Sequence, residues 1–429
     1  MKKPVFALID CNNFFVSCLR LFQPNLEGRP VVALSSNDGC VVARSNEAKA
    51  LGVPMGAPAF KWQQFFKDNQ VVQMSGNFEL YGDISRRITS ILTTITPHIE
   101  IYSVDESFLD LSELNIANYT EWGKKVHTLI KQWTGIPVSV GIAPTKTLAK
   151  LASEHAKKTP ELNNVLDLAS LSPKKRAHYL KQTPVRDVWG VGWRLAPRLR
   201  AEGIATAQGL AMVRPQFAQS LMGIHGRQLV AELSGISCHP LQKVRKAAKS
   251  IAVTRTFGED TNQFYILESA ITTFATKAAY RLRESHQLTK RLGFFMTTSR
   301  HKPGYISTSA EVIFESPTND TAEIIEAASS VAYSKFRATN HYHRAGVWLY
   351  DFVHEDSLQI NLLRQNDHKE HLSQASRMKA VDSLNKRYGK HTVYYASEDL
   401  GDAWQPKHQI KTPRYTTRWD ELPKIKASS

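Results

Sequence analysis

Val5-Phe6-Ala7-Leu8-Ile9 is an unbroken apolar run that stops at Asp10, the pattern of a short buried strand with a carboxylate at its C-terminal end. Farther along, Ile99, Ile101, Tyr102 and Val104 precede Asp105-Glu106-Ser107, and Phe108, Leu109 and Leu111 follow it. This alternation around a polar turn predicts a β-hairpin with acids at its tip. Between the two, residues 80–95 carry apolar side chains at helical spacing, and Trp122, Val126, Leu129, Ile130 and Trp133 mark a second amphipathic helix. A strand over 138–142 and a helix over 145–157 follow. Strands and helices in this order, with a hairpin among them, predict an α+β core whose sheet is covered on one face.

Residues 171–235 read as a separate helical domain punctuated by Gly190, Gly192, Gly203, Gly209, Gly223, Gly226 and Gly235. Lys243, Arg245, Lys246 and Lys249 make 243–249 a basic tether. A further globular unit starts near Ile251, with helices over 268–285 and 321–336 and strands over 292–297, 312–314 and 346–352. Beyond Phe352 the chain is rich in His, Asn, Asp and Lys with few clustered apolar residues, which predicts a weakly structured tail. A chain of 429 residues suits two to four packed domains.

Charge narrows the partners. Lys and Arg total 55 against 39 Asp and Glu, a net charge of +16, which favours a polyanion such as nucleic acid, with an acidic membrane surface as the alternative. No apolar run approaches the roughly 20 residues of a spanning helix. Met1-Lys2-Lys3-Pro4 leads into the first strand without signal-peptide architecture, so a cytoplasmic location is expected. Cys11, Cys18, Cys40 and Cys238 have neither zinc-site pairing nor scaffold density and read as reduced thiols. His341 and His343 could share a strand face, but without nearby Cys or carboxylate partners they do not read as a metal site.

Asp10, Asp105 and Glu106 put three carboxylates on short rigid supports, and hard oxygen ligands of this kind suit Mg²⁺. Two such ions can serve in-line phosphoryl transfer. Taken alone, an Asp-Glu turn is usually a solvated hairpin, and the neighbouring segments bear on which reading holds. The segment Asn37-Asp38-Gly39-Cys40-Val41-Val42-Ala43-Arg44-Ser45-Asn46-Glu47-Ala48-Lys49-Ala50-Leu51-Gly52 is expected to begin as a turn and continue as a helix whose Arg44 and Lys49 could meet a triphosphate. Lys146, Lys150, Lys157 and Lys158 lie on the helix after Thr145, with Lys150 and Lys157 spaced to share a face.

Taken with Ala7-Leu8-Ile9-Asp10-Cys11-Asn12-Asn13-Phe14-Phe15, Ser103-Val104-Asp105-Glu106-Ser107-Phe108 and Gly141-Ile142-Ala143-Pro144-Thr145-Lys146-Thr147-Leu148-Ala149-Lys150, these motifs resemble the Y-family DNA polymerases, most closely the UmuC branch with its MucB-like and RumB-like members. The resemblance implies that Asp10, Asp105 and Glu106 are catalytic and bind two Mg²⁺ ions, with the Cys11 carbonyl as a further ligand. It implies that Phe15 is the steric gate selecting deoxynucleotides, where the UmuC branch more often carries Tyr. Its neighbour Phe14 is grouped with the nucleotide-binding residues but reads as a core aromatic. Asn46, Lys49 and Lys157 fall on triphosphate-contacting positions, the first two in place of Tyr and Arg.

Val188-Trp189-Gly190-Val191-Gly192-Trp193-Arg194 resembles the start of the family's helix-hairpin-helix, so that Gly190, Gly192 and Arg194 are expected to meet DNA phosphates through close backbone approach and helix N-terminal amides. Arg255, Lys277, Arg281, Arg283, Lys290, Arg291 and Arg300 match the family's second duplex clamp. Gln359-Ile360-Asn361-Leu362-Leu363 resembles a sliding-clamp docking peptide, and Thr412-Pro413-Arg414-Tyr415-Thr416-Thr417-Arg418-Trp419 resembles the UmuC C-terminus. The implied architecture is an α+β right hand: palm 1–30 and 78–170, fingers 31–77, helical thumb 171–242, α/β little finger 243–352 and tail 353–429. The implied activity is error-prone synthesis on damaged primer-template DNA from deoxynucleoside triphosphates in the SOS response. A processed UmuD-like dimer, the sliding clamp and a recombinase filament are the implied partners, in the cytoplasm near the nucleoid. Two readings of the acids stay open beside it, a non-catalytic DNA-binding subunit and a two-metal nuclease.

Overall fold

A computed structural model describes residues 3–242, 247–357, 367–389, 391–398, 401 and 403–422. The chain forms two compact units, the first of 1–35, 39–245 and 409–429, the second of 36–38 and 246–408.

In chain order the first unit contains β1 (Phe6–Cys11), α1 (Phe14–Phe22), β2 (Val31–Leu34), β3 (Val41–Arg44), α2 (Asn46–Ala50), α3 (Ala59–Asp68), β4 (Val72–Ser75), α4 (Phe78–Ile95), β5 (Ile99–Ile101), β6 (Glu106–Asp110), α5 (Tyr119–Thr134), β7 (Val138–Ala143), α6 (Lys146–Lys158) and β8 (Val165–Asp167). A five-stranded sheet runs in the order β5-β6-β1-β7-β8, and a three-stranded sheet runs β3-β2-β4. The expected hairpin is present, with β5 and β6 antiparallel and Ile99 opposite Leu109.

Both faces of the larger sheet are covered, not one. Successive side chains of a strand point to opposite faces. Accordingly Ala7, Ile9 and Cys11 join a core with α1, α4 and α5, while Phe6, Leu8 and Phe108 join a second core with α6 and the helices that follow β8. The unbroken apolar run at 5–9 was the signal for this, since a strand buried on both sides needs no polar alternation. Each fully buried Leu, Ile or Phe here contributes ~1.5–3 kcal/mol.

Helix α6 lies close against β7 because Gly141 permits it. A Cβ on Gly141 would stand 2.2 Å from the Ala149 carbonyl oxygen and 2.3 Å from the Ser153 nitrogen. Ala149, Ala152 and Ala156 turn to the sheet. Thr145 caps the helix by accepting from the Leu148 amide at 3.2 Å, and its hydroxyl donates to the Glu232 carbonyl at 2.9 Å.

The helices α7 (Pro173–Gln182), α8 (Leu195–Ala201), α9 (Ala207–Ala211), α10 (Pro215–Met222) and α11 (Ile224–Leu233) follow, as the glycine-punctuated pattern predicts. The expected helix bearing Arg44 and Lys49 is divided. Val41, Val42 and Arg44 lie on β3, and Lys49 alone is on α2, because the β-branched pair favours a strand and Ser45 then caps the helix.

The second unit comprises β9 (Ser250–Thr261), α12 (Phe264–Glu284), β10 (Gln287–Thr298), β11 (Ser307–Thr318), α13 (Thr321–Lys335), β12 (Tyr342–His354) and α14 (Asp367–Tyr388). Its sheet runs β11-β10-β12-β9. Strand β9 has no counterpart among the expected elements, since only Ile251, Val253, Phe257 and Thr261 along its twelve residues are buried. The tail also departs from expectation. It contains α14, tied to α12 by Arg283, which holds both carboxylate oxygens of Asp382 at 2.7 and 2.8 Å. Trp404 is buried against Phe274.

Candidate active site

Asp10, the penultimate residue of β1, lies directly opposite Glu106 at the start of β6, so the two side chains emerge on one face of the sheet. That face carries α6. Lys150 of α6 gives its ammonium to both Glu106 oxygens, at 2.7 and 2.9 Å, and Lys157, two turns on, meets Asp10 at 2.5 Å. Lys150 also stands 4.7 Å from the centre of the Tyr102 ring and 5.9 Å from that of Trp189.

Asp105 occupies the turn. Its carbonyl accepts from the Cys11 amide at 2.9 Å, and its carboxylate accepts from the Ser103 hydroxyl at 2.6 Å. The same hydroxyl accepts the amides of Asp105 and Glu106. Burial pushes the Asp10 carboxyl up to about 7, with the nearby charges of Glu106 and Asp105 adding to the rise and Lys157 opposing it. A cavity of about 240 Å³ opens beside the acids, lined in part by Asp10, Glu106, Lys150, Glu154 and Trp189.

Among the described residues no three His, Cys, Asp or Glu side chains are grouped closely enough to hold an ion as they stand. The physical reason lies in the pairing just described, because two lysines and a serine each draw a different carboxylate.

The aromatic pair after Asn13 separates by burial. Phe14 is 3% exposed and packs in the core, in keeping with its reading as a core aromatic. Phe15 is only partly buried. It stacks on Tyr81 with centroids 4.3 Å apart and meets the edge of Phe78 at 5.8 Å. Asn13, at φ 49°, bridges two other predicted positions. Its amide donates to Asn46 at 2.9 Å and its oxygen accepts from Lys49 at 2.5 Å. Burial lowers the Lys49 ammonium, helped by the like charges of Lys157 and Arg44. The structure thus brings Asn46, Lys49, Lys157 and Asp10 into one neighbourhood, while Arg44 donates to the Val53 carbonyl.

Asn13 and Ser103 were not singled out from sequence. The signal for Ser103 was its position two residues before Asp105. An Asn before a helix tolerates left-handed backbone, but its bridging role needs the fold.

Gly190 has φ +90°, and at both Gly190 and Gly192 an added Cβ would meet nothing within 4 Å. Trp193 is 80% exposed with Arg194 against its ring. Helix α8 behind them is seven residues long. In the second unit, two of the expected clamp cations serve the unit's own fold: Arg283 as described, and Arg291, paired with Glu311 at 2.7 Å and Asp351 at 3.3 Å. His343 meets Asp260 at 2.6 Å. The Gln359, Ile360, Asn361, Leu362 and Leu363 motif lies outside the described residues.

Solved Y-family DNA polymerases share this fold. A Y-family chimera of Dbh and Dpo4 matches with a TM-score of 0.62 at 22% identity, over 83% of this chain and all of that one. DinB from Sulfolobus solfataricus matches at 0.53 and 21% identity, over 81% and 98%. The model of the impB/mucB/samB family matches residues 9–154, its C-terminal domain matches 248–362, and a domain of unknown function, DUF4113, matches 377–425. UmuC of Salmonella typhimurium is 38% identical over 98% of this chain and 100% of that protein, ImpB of the same organism is 36% identical over 98% and 99%, and MucB of Escherichia coli is 32% identical over 98% and 99%. The chain belongs to the impB/mucB/samB family of Y-family DNA polymerases. Among the described residues no helix is long and apolar enough to cross a membrane.

Proposed function

We propose that the chain extends DNA primers across damaged templates by two-metal nucleotidyl transfer, as an error-prone polymerase of the SOS response. The observation that carries this is the register of Asp10 against Glu106, with Asp105 adjacent and two lysines of α6 facing them. An all-oxygen donor set of three carboxylates and the Cys11 carbonyl fits Mg²⁺. The raised Asp10 carboxyl fits it too, since burial first, and the charges of Glu106 and Asp105 after it, penalise a carboxylate that a bound cation would stabilise. Two bound ions would supply charge stabilisation to the entering and leaving oxygens.

The chain's own residues do the rest. Lys150 and Lys157 hold the carboxylates in place before the ions arrive. Asn46, Lys49 and Lys157 are assigned to the triphosphate, and the partly exposed Phe15 to the face of the sugar that excludes a 2′-hydroxyl. The open backbone at Gly190 and Gly192 with Arg194 is assigned to a DNA phosphate, which calls for no sequence readout. In domain terms the palm is 1–30 and 78–170, the fingers 31–77, the thumb 171–242, the little finger 243–352 and the tail 353–429. The processed UmuD-like dimer, recombinase filament and sliding clamp are the proposed partners, the last through 359–363, in the cytoplasm near the nucleoid.

The test is Mg²⁺-dependent primer extension on undamaged and abasic templates with the UmuD-like partner supplied, comparing wild type with the Asp105→Ala, Glu106→Ala double variant. Extension by wild type alone supports the reading. No extension by either protein, with tight primer-template binding by both, turns it to a non-catalytic DNA-binding subunit.

A further inference from the structure

The last described segment of the first unit returns to the two helices that hold Phe15. Asn77 is fully buried just before α4. Its side-chain oxygen caps that helix by accepting from Leu80 at 3.3 Å. Its side-chain nitrogen faces residues 412 and 413 instead, donating to the Thr412 hydroxyl at 2.9 Å and to the carbonyls of Thr412 and Pro413 at 3.2 and 3.1 Å. Two residues earlier, Ser75 and Ile410 exchange hydrogen bonds of 3.0 Å, the Ser75 amide to the Ile410 carbonyl and the Ile410 amide to the Ser75 hydroxyl. Arg414 reaches Glu79 at 3.5 Å. Tyr415 stacks on Phe22, the last residue of α1, with centroids 4.6 Å apart at 14°.

These contacts converge on the gate from both sides. Phe15 lies in the first turn of α1, whose far end is held by Tyr415. The two rings against Phe15, Phe78 and Tyr81, lie in the first turn of α4, which the Asn77 contacts fix. We infer that residues 410–415 form a strap whose Tyr415 and Thr412 are positioning residues for the sugar-selecting aromatic cluster of Phe15, Phe78 and Tyr81. The inference rests on Phe15 being the gate. It gives a structural task to a segment inside the stretch matched only as a domain of unknown function. A slack strap lets α1 and α4 move independently, and the Phe15 ring then no longer stands at a fixed height over the sugar.

The experiment measures kcat/KM for a deoxynucleotide and its ribonucleotide counterpart in the full chain, with its partners and primer-template present. The variants are Tyr415→Ala, Tyr415→Phe, Asn77→Ser and Phe15→Ala. Serine still caps α4 but lacks the longer side-chain amide that donates to Thr412 and Pro413. Discrimination against the ribonucleotide is expected to fall roughly tenfold in Tyr415→Ala and Asn77→Ser, inside the ~100-fold that an ångström-scale displacement causes, and Tyr415→Phe restores it. A strap that only stabilises the fold instead lowers both substrates together and leaves the ratio unchanged, which overturns the inference. Should Tyr415→Ala fail to fold, Asn77→Ser and Arg414→Ala decide by the same ratio. If Phe15→Ala itself leaves sugar selection untouched, the gate reading fails and the strap's role fails with it. If Phe15→Ala relaxes selection and the strap variants do not, only the strap inference falls.

Discussion

The ammonium of Lys150 is shared between the two carboxylate oxygens of Glu106, at 2.7 and 2.9 Å, a near-symmetric grip made from the fifth residue of α6. The lysine is one-fifth exposed and the glutamate less, so the attraction is only partly screened by water. A divalent ion arriving at Glu106 must share this carboxylate with the lysine. Lys150→Met is therefore expected to lower the Mg²⁺ concentration for half-maximal extension severalfold while reducing kcat, because a competitor for the carboxylate and the group that holds it in place vanish together. A Mg²⁺ titration of single-nucleotide insertion checks it, and an unchanged midpoint rules the competition out.

Gly141→Ala should push α6 away from β7. The new methyl would fall 2.2 Å from a backbone oxygen and 2.3 Å from a backbone nitrogen, neither of which can rotate aside. Overpacking of this kind costs ~1–3 kcal/mol. Insertion should fall further than stability explains, since Lys150 and Lys157 travel with the helix. Chemical denaturation paired with insertion kinetics separates the two, and wild-type insertion in a destabilised variant would disconnect α6 from the chemistry.

Gly192→Ala should do the reverse. Nothing in the chain lies within 4 Å of the added methyl, and the backbone there is not left-handed, so stability should stay within about 0.5 kcal/mol. Primer-template binding should nevertheless weaken several-fold if a phosphate comes to rest on this turn. Anisotropy titration with labelled duplex measures it, and intact affinity removes the hairpin from the DNA interface.

His155 offers a pH test away from the acids. Burial lowers its ring below the usual 6.5, with the charge of Lys158 lowering it further, and Nε2 lies 2.8 Å from the Thr183 hydroxyl. The folded chain then binds the proton less readily than the unfolded one, so stability should fall as pH drops from about 6.5 towards the lowered value and level off below it. In His155→Gln that component should be absent, so the difference between the two Tm profiles should change with pH over this range. Parallel profiles across pH 5 to 7 would show that the histidine does not couple to folding.

What could be read from the sequence was local. Asp10 at the end of an apolar run, the acids of the hairpin and the seven-residue spacing of Lys150 and Lys157 are short-range patterns, and each sits where its pattern predicted. Arg44 was misplaced because its segment mixes a β-branched pair with a good helix former, and the cap at Ser45 decides the boundary. Strand β9 escaped notice because most of its residues are not buried. The bridge from Asn13 to Asn46 and Lys49 joins separate elements, and nothing in the residues' own neighbourhoods announces it. The tail was read as weakly structured for the same reason. Several of its polar residues find partners in elements far away in sequence, as Asp382 does in Arg283 and Thr412 in Asn77.

That separation has a temporal side. Asn77 and Thr412 are 335 residues apart, so a ribosome adding about 5–20 residues per second makes the second partner roughly 20 s to a minute after the first. During that interval Asp10, Asp105 and Glu106, the lysines of α6 and the whole five-stranded sheet can already be folded, while the contacts of 410–415 with α1 and α4 do not yet exist. A nascent or proteolytically shortened chain would then carry its acids with a loose sugar filter. On the strap reading, synthesis of residues 410–415 is the step that completes the sugar filter.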